Sequence, residues 1–280
     1  MPMTDKKIRS ESLELLKKLR PIDDTFMREM FRNNIDLTEF ILRLITEIPD
    51  LVITKVDTQY DLHRLVGVRS ANIDVHGTDS KNSKYSLEIE RSDKRASPYR
   101  SRFLSSAVDV EYLDQGDDFT ALPVSYVIFI TENNIFGKGQ LVHRIERIDV
   151  TTGEPFNDGE HIIYLNSSYK PKDGEDISEL AKLAHDFLCS DPDEMYLPIM
   201  AKTAKYYKTS EKGVEHMCQL VDELIAKHEV AKANEFATKL IARGKQTLEE
   251  IAEDSGLSLD EVKALAAKAN QPPNNYVIGQ

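Results

Sequence analysis

The apolar positions of the chain change period along its length, and the changes divide it into elements. From Asp23 to Ile48, the residues Phe26, Met27, Met30, Phe31, Ile35, Leu37, Phe40, Ile41, Leu44 and Ile45 recur at threes and fours. This spacing predicts two amphipathic helices, broken near Asn33 and Asn34 and stopped by Pro49. The segments LVITKVDTQ, SANIDVHG and KYSLEIER follow, alternating or β-branched and separated by polar turns, which predicts successive antiparallel strands. A helix is expected from about Pro98 to Asp114, ahead of the loop QGDDF. The run VSYVIFITE lacks alternation, as a strand covered on both faces should. Shorter strands are expected in LVHRIERID and HIIYLN. Past Lys170 the period is helical throughout, so the pattern predicts an α/β domain over 1–172 and a helical region over 173–280.

Alternation also sorts side chains within the strands. In KYSLEIER, Tyr85, Leu87 and Ile89 share one face, expected to turn inward against helices, while Ser86, Glu88 and Glu90 share the other. In SANIDVHG the same rule places Ala71, Ile73 and Val75 opposite Asn72, Asp74 and His76. If GTDSKNS turns the hairpin symmetrically about Lys81, Asp74 lies level with Glu88, and Asn72 with Glu90. Two carboxylates about 5 Å apart repel by roughly 3 kcal/mol at an effective dielectric near 20, whereas a good cross-strand pair contributes only about 0.2 to 1 kcal/mol. Sheet stability therefore does not account for the acids; something positive belongs between them.

Two sources of positive charge are open. A hard divalent cation such as magnesium takes one or two carboxylates and completes its shell with water and phosphate oxygens. Alternatively, Arg91, Lys94, Arg95, Arg100 and Arg102, which follow in the next segment, neutralise the acids as an ion-pair network. With a metal in place, the same cations would instead hold the phosphates of a nucleic acid strand. His76 shares the acidic face and is a further candidate for contact with the site. A structure showing the acids splayed apart, or clasped by guanidinium groups with no room for an ion, would overturn the enzymatic reading.

Composition narrows these readings. The formal net charge of -12 opposes a passive, whole-surface attraction to nucleic acid, so a DNA partner requires local cations or a metal. The sequence contains no P-loop, G-x-S-x-G elbow, H-E-x-x-H or Cys-x-x-Cys pair. Cys189 and Cys218 are too few and too far apart for a disulfide framework or a thiolate zinc site, which fits free thiols in a cytoplasmic protein. The N-terminal stretch lacks the apolar core of a signal peptide. The longest apolar run, within LPVSYVIFI, is far short of the roughly 20 residues of a membrane span.

The stretches IDDTFMREMFRNN, TQYDLHRLVGVRSANIDVHGTD, YSLEIERSDKRASPYRSRFLSSAVD, GDDFTALPVSYVIFITENNIFGKG, TGEPFNDGEHIIYLN and HDFLCSDPDEMY, in that order, resemble the PD-(D/E)XK nuclease family transposases, or recombination-promoting nucleases, of bacteria. The resemblance implies a restriction-endonuclease-like core, a mixed sheet flanked by helices, and cleavage of DNA with Mg2+ or Mn2+. It assigns Asp74, in ANIDV, and Glu88, in LEIE, to the metal. Glu90 occupies the place that holds Lys in the wider superfamily and commonly Gln in this branch. A glutamate there implies a third ligand, a base for the attacking water, or a catalytically weak or inactive protein acting as a DNA- or protein-binding module. The resemblance further brings an acid of the first helix, Asp24 or Glu29, near the site, and makes Arg69 a phosphate contact or a brace.

In the helical region, TLEEIAEDSGLSLDEV has the spacing of a helix-turn-helix, with Gly256 at the turn and Ser258 as N-cap. The second helix opens on Asp260 and Glu261, which face phosphate badly, so these helices are expected to pack or to join copies of the chain into a homo-oligomer rather than read DNA.

Overall fold

The computed structural model of the chain describes residues 5–62, 71–91, 95–172, 174 and 176–269. It divides into two compact units, Leu13–Met217 and, with the N-terminal Met1–Ser12, Cys218–Gln280. The first unit runs on past the boundary at 172/173 read from the change of period.

The helices α1 (Asp5–Lys18), α2 (Asp24–Phe31) and α3 (Ile35–Thr46) open the chain. Asn33 takes a left-handed φ of 52°, and the Asn34 side chain accepts the Leu37 N–H, so the asparagine pair both breaks and restarts the helix. The helix α3 ends through Glu47 in a left-handed cap, ahead of Pro49. Phe26, Met27, Met30, Phe31, Leu37, Ile41 and Ile45, which define the apolar stripe, are buried.

The described strands form one mixed six-stranded sheet of order β1-β2-β3-β4-β6-β5. They are β1 (Ile53–Asp61), β2 (Asn72–Asp79), β3 (Lys84–Glu90), β4 (Ser125–Thr131), β5 (Val142–Ile145) and β6 (Glu160–Asn166). The first three are antiparallel neighbours, β4 is parallel to β3 and β6, and β5 is antiparallel to β6. The parallel step from β3 to β4 needs a crossover, and α4 (Pro98–Tyr112) supplies it. Ser97 caps this helix by accepting the Arg100 N–H, and Pro98 fills its first turn.

Two helical layers cover the sheet. Leu104, Ala107 and Val108 of α4 share a buried cluster with Val127, Phe129 and Tyr164. On the opposite face, a methyl group at Gly77 would lie 3.6 Å from Tyr85 Cβ and 3.7 Å from Leu42 of α3. As a result every residue of β3 is buried, the polar Ser86, Glu88 and Glu90 as well as the apolar Tyr85, Leu87 and Ile89. The expectation that only the apolar face turns inward is corrected here, because a central strand with helices on both sides has no solvent face.

The helices α5 (Glu179–Leu188) and α6 (Pro198–Thr209) complete the first unit. Asp186 joins them, its carboxylate accepting the N–H groups of Tyr196 and Leu197 at 2.9 and 2.8 Å. After α7 (Glu211–Arg243), α8 (Leu248–Ser255) and α9 (Leu259–Ala269) meet at Gly256, whose φ of 72° makes the turn. Ala237, Leu240, Ile251 and Val262 form the second unit's core. Among the described residues no helix is long and apolar enough to cross a membrane.

Candidate functional site

The hairpin of β2 and β3 pairs Val75 with Leu87, His76 with Ser86, Gly77 with Tyr85 and Thr78 with Lys84. Every pair is symmetric about Lys81, the register that sets Asp74 level with Glu88. The ladder stops before Asn72 reaches Glu90; Asn72 turns instead to β1 and donates to Asp61 at 2.7 Å. Asp74, at the start of β2, is fixed by two donors. The Ile89 N–H reaches its Oδ2 at 3.0 Å and the Gln59 amide reaches its Oδ1 at 3.2 Å.

Glu88 is 0 % exposed and Glu90 5 %. Arg100, in the first turn of α4, bridges them: one guanidinium nitrogen contacts Glu88 Oε2 and the other lies 2.6 Å from Glu90 Oε1. Glu88 Oε1 is buried with no hydrogen-bond partner among the described residues. Burial, then the neighbouring charge of Asp74, pushes the Glu88 carboxyl up to about 8, with Arg100 opposing. Burial also raises Glu90 and Asp74, against Arg100 at Glu90 and against the Ile89 and Gln59 donors at Asp74. One guanidinium thus leaves three carboxyl groups undercompensated. The carboxyl groups of the site therefore hold a proton more tightly than ordinary carboxylates do.

Asp74 and Glu90, with the fully buried Glu88 behind them, border a cleft of about 1120 Å³, lined among others by Asp24, Arg28, Gln59, Arg91, Arg95, Tyr99 and Arg100. No cluster of three or more His, Cys, Asp or Glu side chains shaped to hold a metal occurs among the described residues, since the two glutamates are turned toward a guanidinium. The donors nevertheless suit a hard divalent cation: they are carboxylate oxygens, and among the described residues one is buried without a hydrogen-bond partner.

The other expected residues divide. Arg95 and Arg100 border the cleft. Arg91 also borders it, but its guanidinium is engaged by Asp23 and Glu132, each at 3.0 Å, in a network that Arg20 shares. Arg102 is not at the cleft. Two positions along a helix from Arg100, it points elsewhere, beside Ile145, Glu146, Arg147 and Glu160. Grouping Arg102 with the site cations is therefore corrected. Arg69 and Lys94 lie outside the described residues. Asp24 borders the cleft, paired with Arg28, whereas Glu29 is buried against Arg32 and His216, both at 2.7 Å.

His76 serves the fold. It is 2 % exposed, its ring stacks 4.7 Å from that of Tyr60 and 5.7 Å from that of Tyr112, and its Nε2 lies 2.7 Å from the Tyr112 hydroxyl. Burial, aided by the charge of Lys84, lowers it to about 4. A histidine held neutral in the fold and free to protonate near 6.5 when unfolded contributes stability that is complete above pH 6.5 and is lost as the pH falls toward 4. His76→Gln is expected to flatten the decline of urea stability across that window, by about 3 kcal/mol. An equally steep decline in the variant would mean that other groups carry it.

Gln59, Arg28 and Tyr99 escape a reading of the sequence. Gln59 sits in a strand with φ 55°, a left-handed conformation that costs on the order of 1–3 kcal/mol. Asn, Asp or Gly at such a position would have signalled it; Gln does not. Comparison with protein-family models, with curated proteins and with solved structures finds no match to this chain.

Proposed function

We propose that the chain is a metal-dependent endodeoxyribonuclease that hydrolyses DNA phosphodiester bonds, with a restriction-endonuclease-like core and the part played by PD-(D/E)XK nucleases associated with transposases. The observation that carries this reading is the pairing of half-buried Asp74 with buried Glu88 across one hairpin, with Glu88 Oε1 unpartnered among the described residues, beside a cleft bordered by arginines. Asp74 and Glu88 would hold Mg2+ or Mn2+, and when bound the ion would acidify a water and neutralise charge growing on the phosphate.

The chain's own groups supply the rest. Asp74 is oriented in advance by the Ile89 and Gln59 donors, so it needs little rearrangement to bind a cation. Glu90, whose proton affinity is raised by burial, would accept a proton from the attacking water. Arg95 and the first turn of α4, which carries Arg100, present positive charge to a phosphate in the cleft. The overall charge of -12 confines attraction for DNA to this cleft. A cytoplasmic location fits the buried Cys189 and Cys218, which form no disulfide. Self-association through the helical region belongs to the same proposal.

A plasmid-nicking assay with magnesium or manganese tests the activity. Nicking by the wild-type chain that disappears in Glu88→Ala supports it; nicking that persists in the folded variant rejects it. One observation favours a second reading, a protein that binds DNA or another protein without cutting. Arg100 already bridges Glu88 and Glu90, as a permanent ion-pair network would require. DNA binding that is indifferent to divalent ions and free of cleavage would decide for that alternative.

A further inference from the structure

Arg100 is needed in two places, since the acids hold it and the cleft offers it to a phosphate. We propose, resting on the nuclease reading, that Arg100 is an exchangeable internal counterion: without metal it bridges Glu88 and Glu90, and on divalent-cation binding it gives up Glu88 and turns to a phosphate oxygen in the cleft.

The geometry of the bridge favours exchange over permanence. The two arms of the guanidinium go to different carboxylates, so neither acid receives the paired, parallel bonds that make an arginine–carboxylate contact strongest. Glu88 keeps one oxygen without a hydrogen-bond partner among the described residues. The Arg100 side chain is 29 % exposed, whereas the acids it holds are almost wholly buried. It stands at the mouth of the acid pocket and can leave without opening the core.

Charge points the same way. Among the described residues Arg100 alone is bonded to Glu88 and Glu90, with the charge of Arg95 acting on Glu90 from farther off, so a doubly charged ion between Asp74 and Glu88 matches the site better than Arg100 alone. The destination is also defined. Arg91 is held by Asp23 and Glu132, while Arg95 has no ion-pair partner among the described residues. Arg95 and a released Arg100 border the same cleft and together would grip a phosphate. Ser97, accepting the Arg100 N–H, keeps the backbone of that residue fixed while the side chain moves.

The test is Mn(II) titration of the full chain, followed by electron paramagnetic resonance, for wild type and Arg100→Gln. Removing a fixed positive charge strengthens the binding of a proton once and of a divalent ion about twice over, so the metal gains the advantage. The variant is expected to bind Mn(II) about tenfold more tightly or better. Equal or weaker binding by the folded variant, with saturable binding in wild type, overturns the exchange and leaves the nuclease reading standing. An absence of saturable binding in both proteins overturns the two together. Should the variant fail to fold, nitrogen-15 spectra of the wild-type arginine side chains decide. The Arg100 Nε–H resonance is expected to move on saturation with Mg2+, and an Arg100 signal unchanged at saturation refutes the proposal.

Discussion

Glu88→Gln is expected to make the chain more stable above neutral pH while removing its capacity for a divalent ion. Glu88 is fully buried and its carboxyl is raised to about 8, from an ordinary value of 4.5. For a carboxyl raised by folding, the folded state takes up a proton that the unfolded chain has released. The resulting penalty is absent below pH 4.5, grows through neutrality and is complete above about pH 8. Glutamine fills the same space without a charge to desolvate, and its carbonyl oxygen still accepts from Arg100. Urea unfolding without divalent ions should favour the variant by an amount on the order of 5 kcal/mol at pH 8.5 and by little at pH 4.5. Equal stabilities at both pH values would mean that Arg100 fully compensates Glu88. The acid would then be structural.

The second large effect is on cleavage. On the proposed nuclease reading, Asp74→Ala and Asp74→Asn are both expected to lower magnesium-dependent nicking by at least about 10³-fold, because removing a carboxylate that would hold the metal forfeits several kcal/mol at about 1.4 kcal/mol per decade. The two variants separate chemistry from folding. Alanine leaves the Ile89 N–H without an acceptor, at a further cost of about 1–3 kcal/mol in stability. Asparagine keeps an oxygen in that place. Activity retained in Asp74→Asn, with the fold intact by circular dichroism, would remove Asp74 from the reaction.

The hairpin was legible because two signals agree. A period of two distributes its residues between faces, and the polar GTDSKNS turn centres the register on Lys81, as the pairs from Val75–Leu87 to Thr78–Lys84 require. The asparagine break before α3, the start of α4 at Pro98 and the Gly256 turn were legible as local chemistry. What escaped depends on contacts distant in the chain. That the polar face of β3 is covered follows from α4 lying over the sheet, which no pattern inside KYSLEIER contains. The engagement of Arg91 by Asp23 and Glu132 joins three segments of the chain. Arg102 is different in kind, since helical spacing alone separates it from Arg100, and counting cations without that spacing put them together. The choice between a metal and an ion-pair network, open from the sequence, becomes in the structure a question about one side chain. Arg100 does bridge the glutamates, yet Glu88 Oε1 is left without a partner among the described residues.

The most direct measurement is the binding of Mn(II) to the wild-type chain and to Asp74→Asn at pH 8. The account predicts saturable binding in the first and its loss in the second. A wild-type chain that takes up no ion, or a variant that binds it undiminished, would contradict the claim that the hairpin acids form a metal centre.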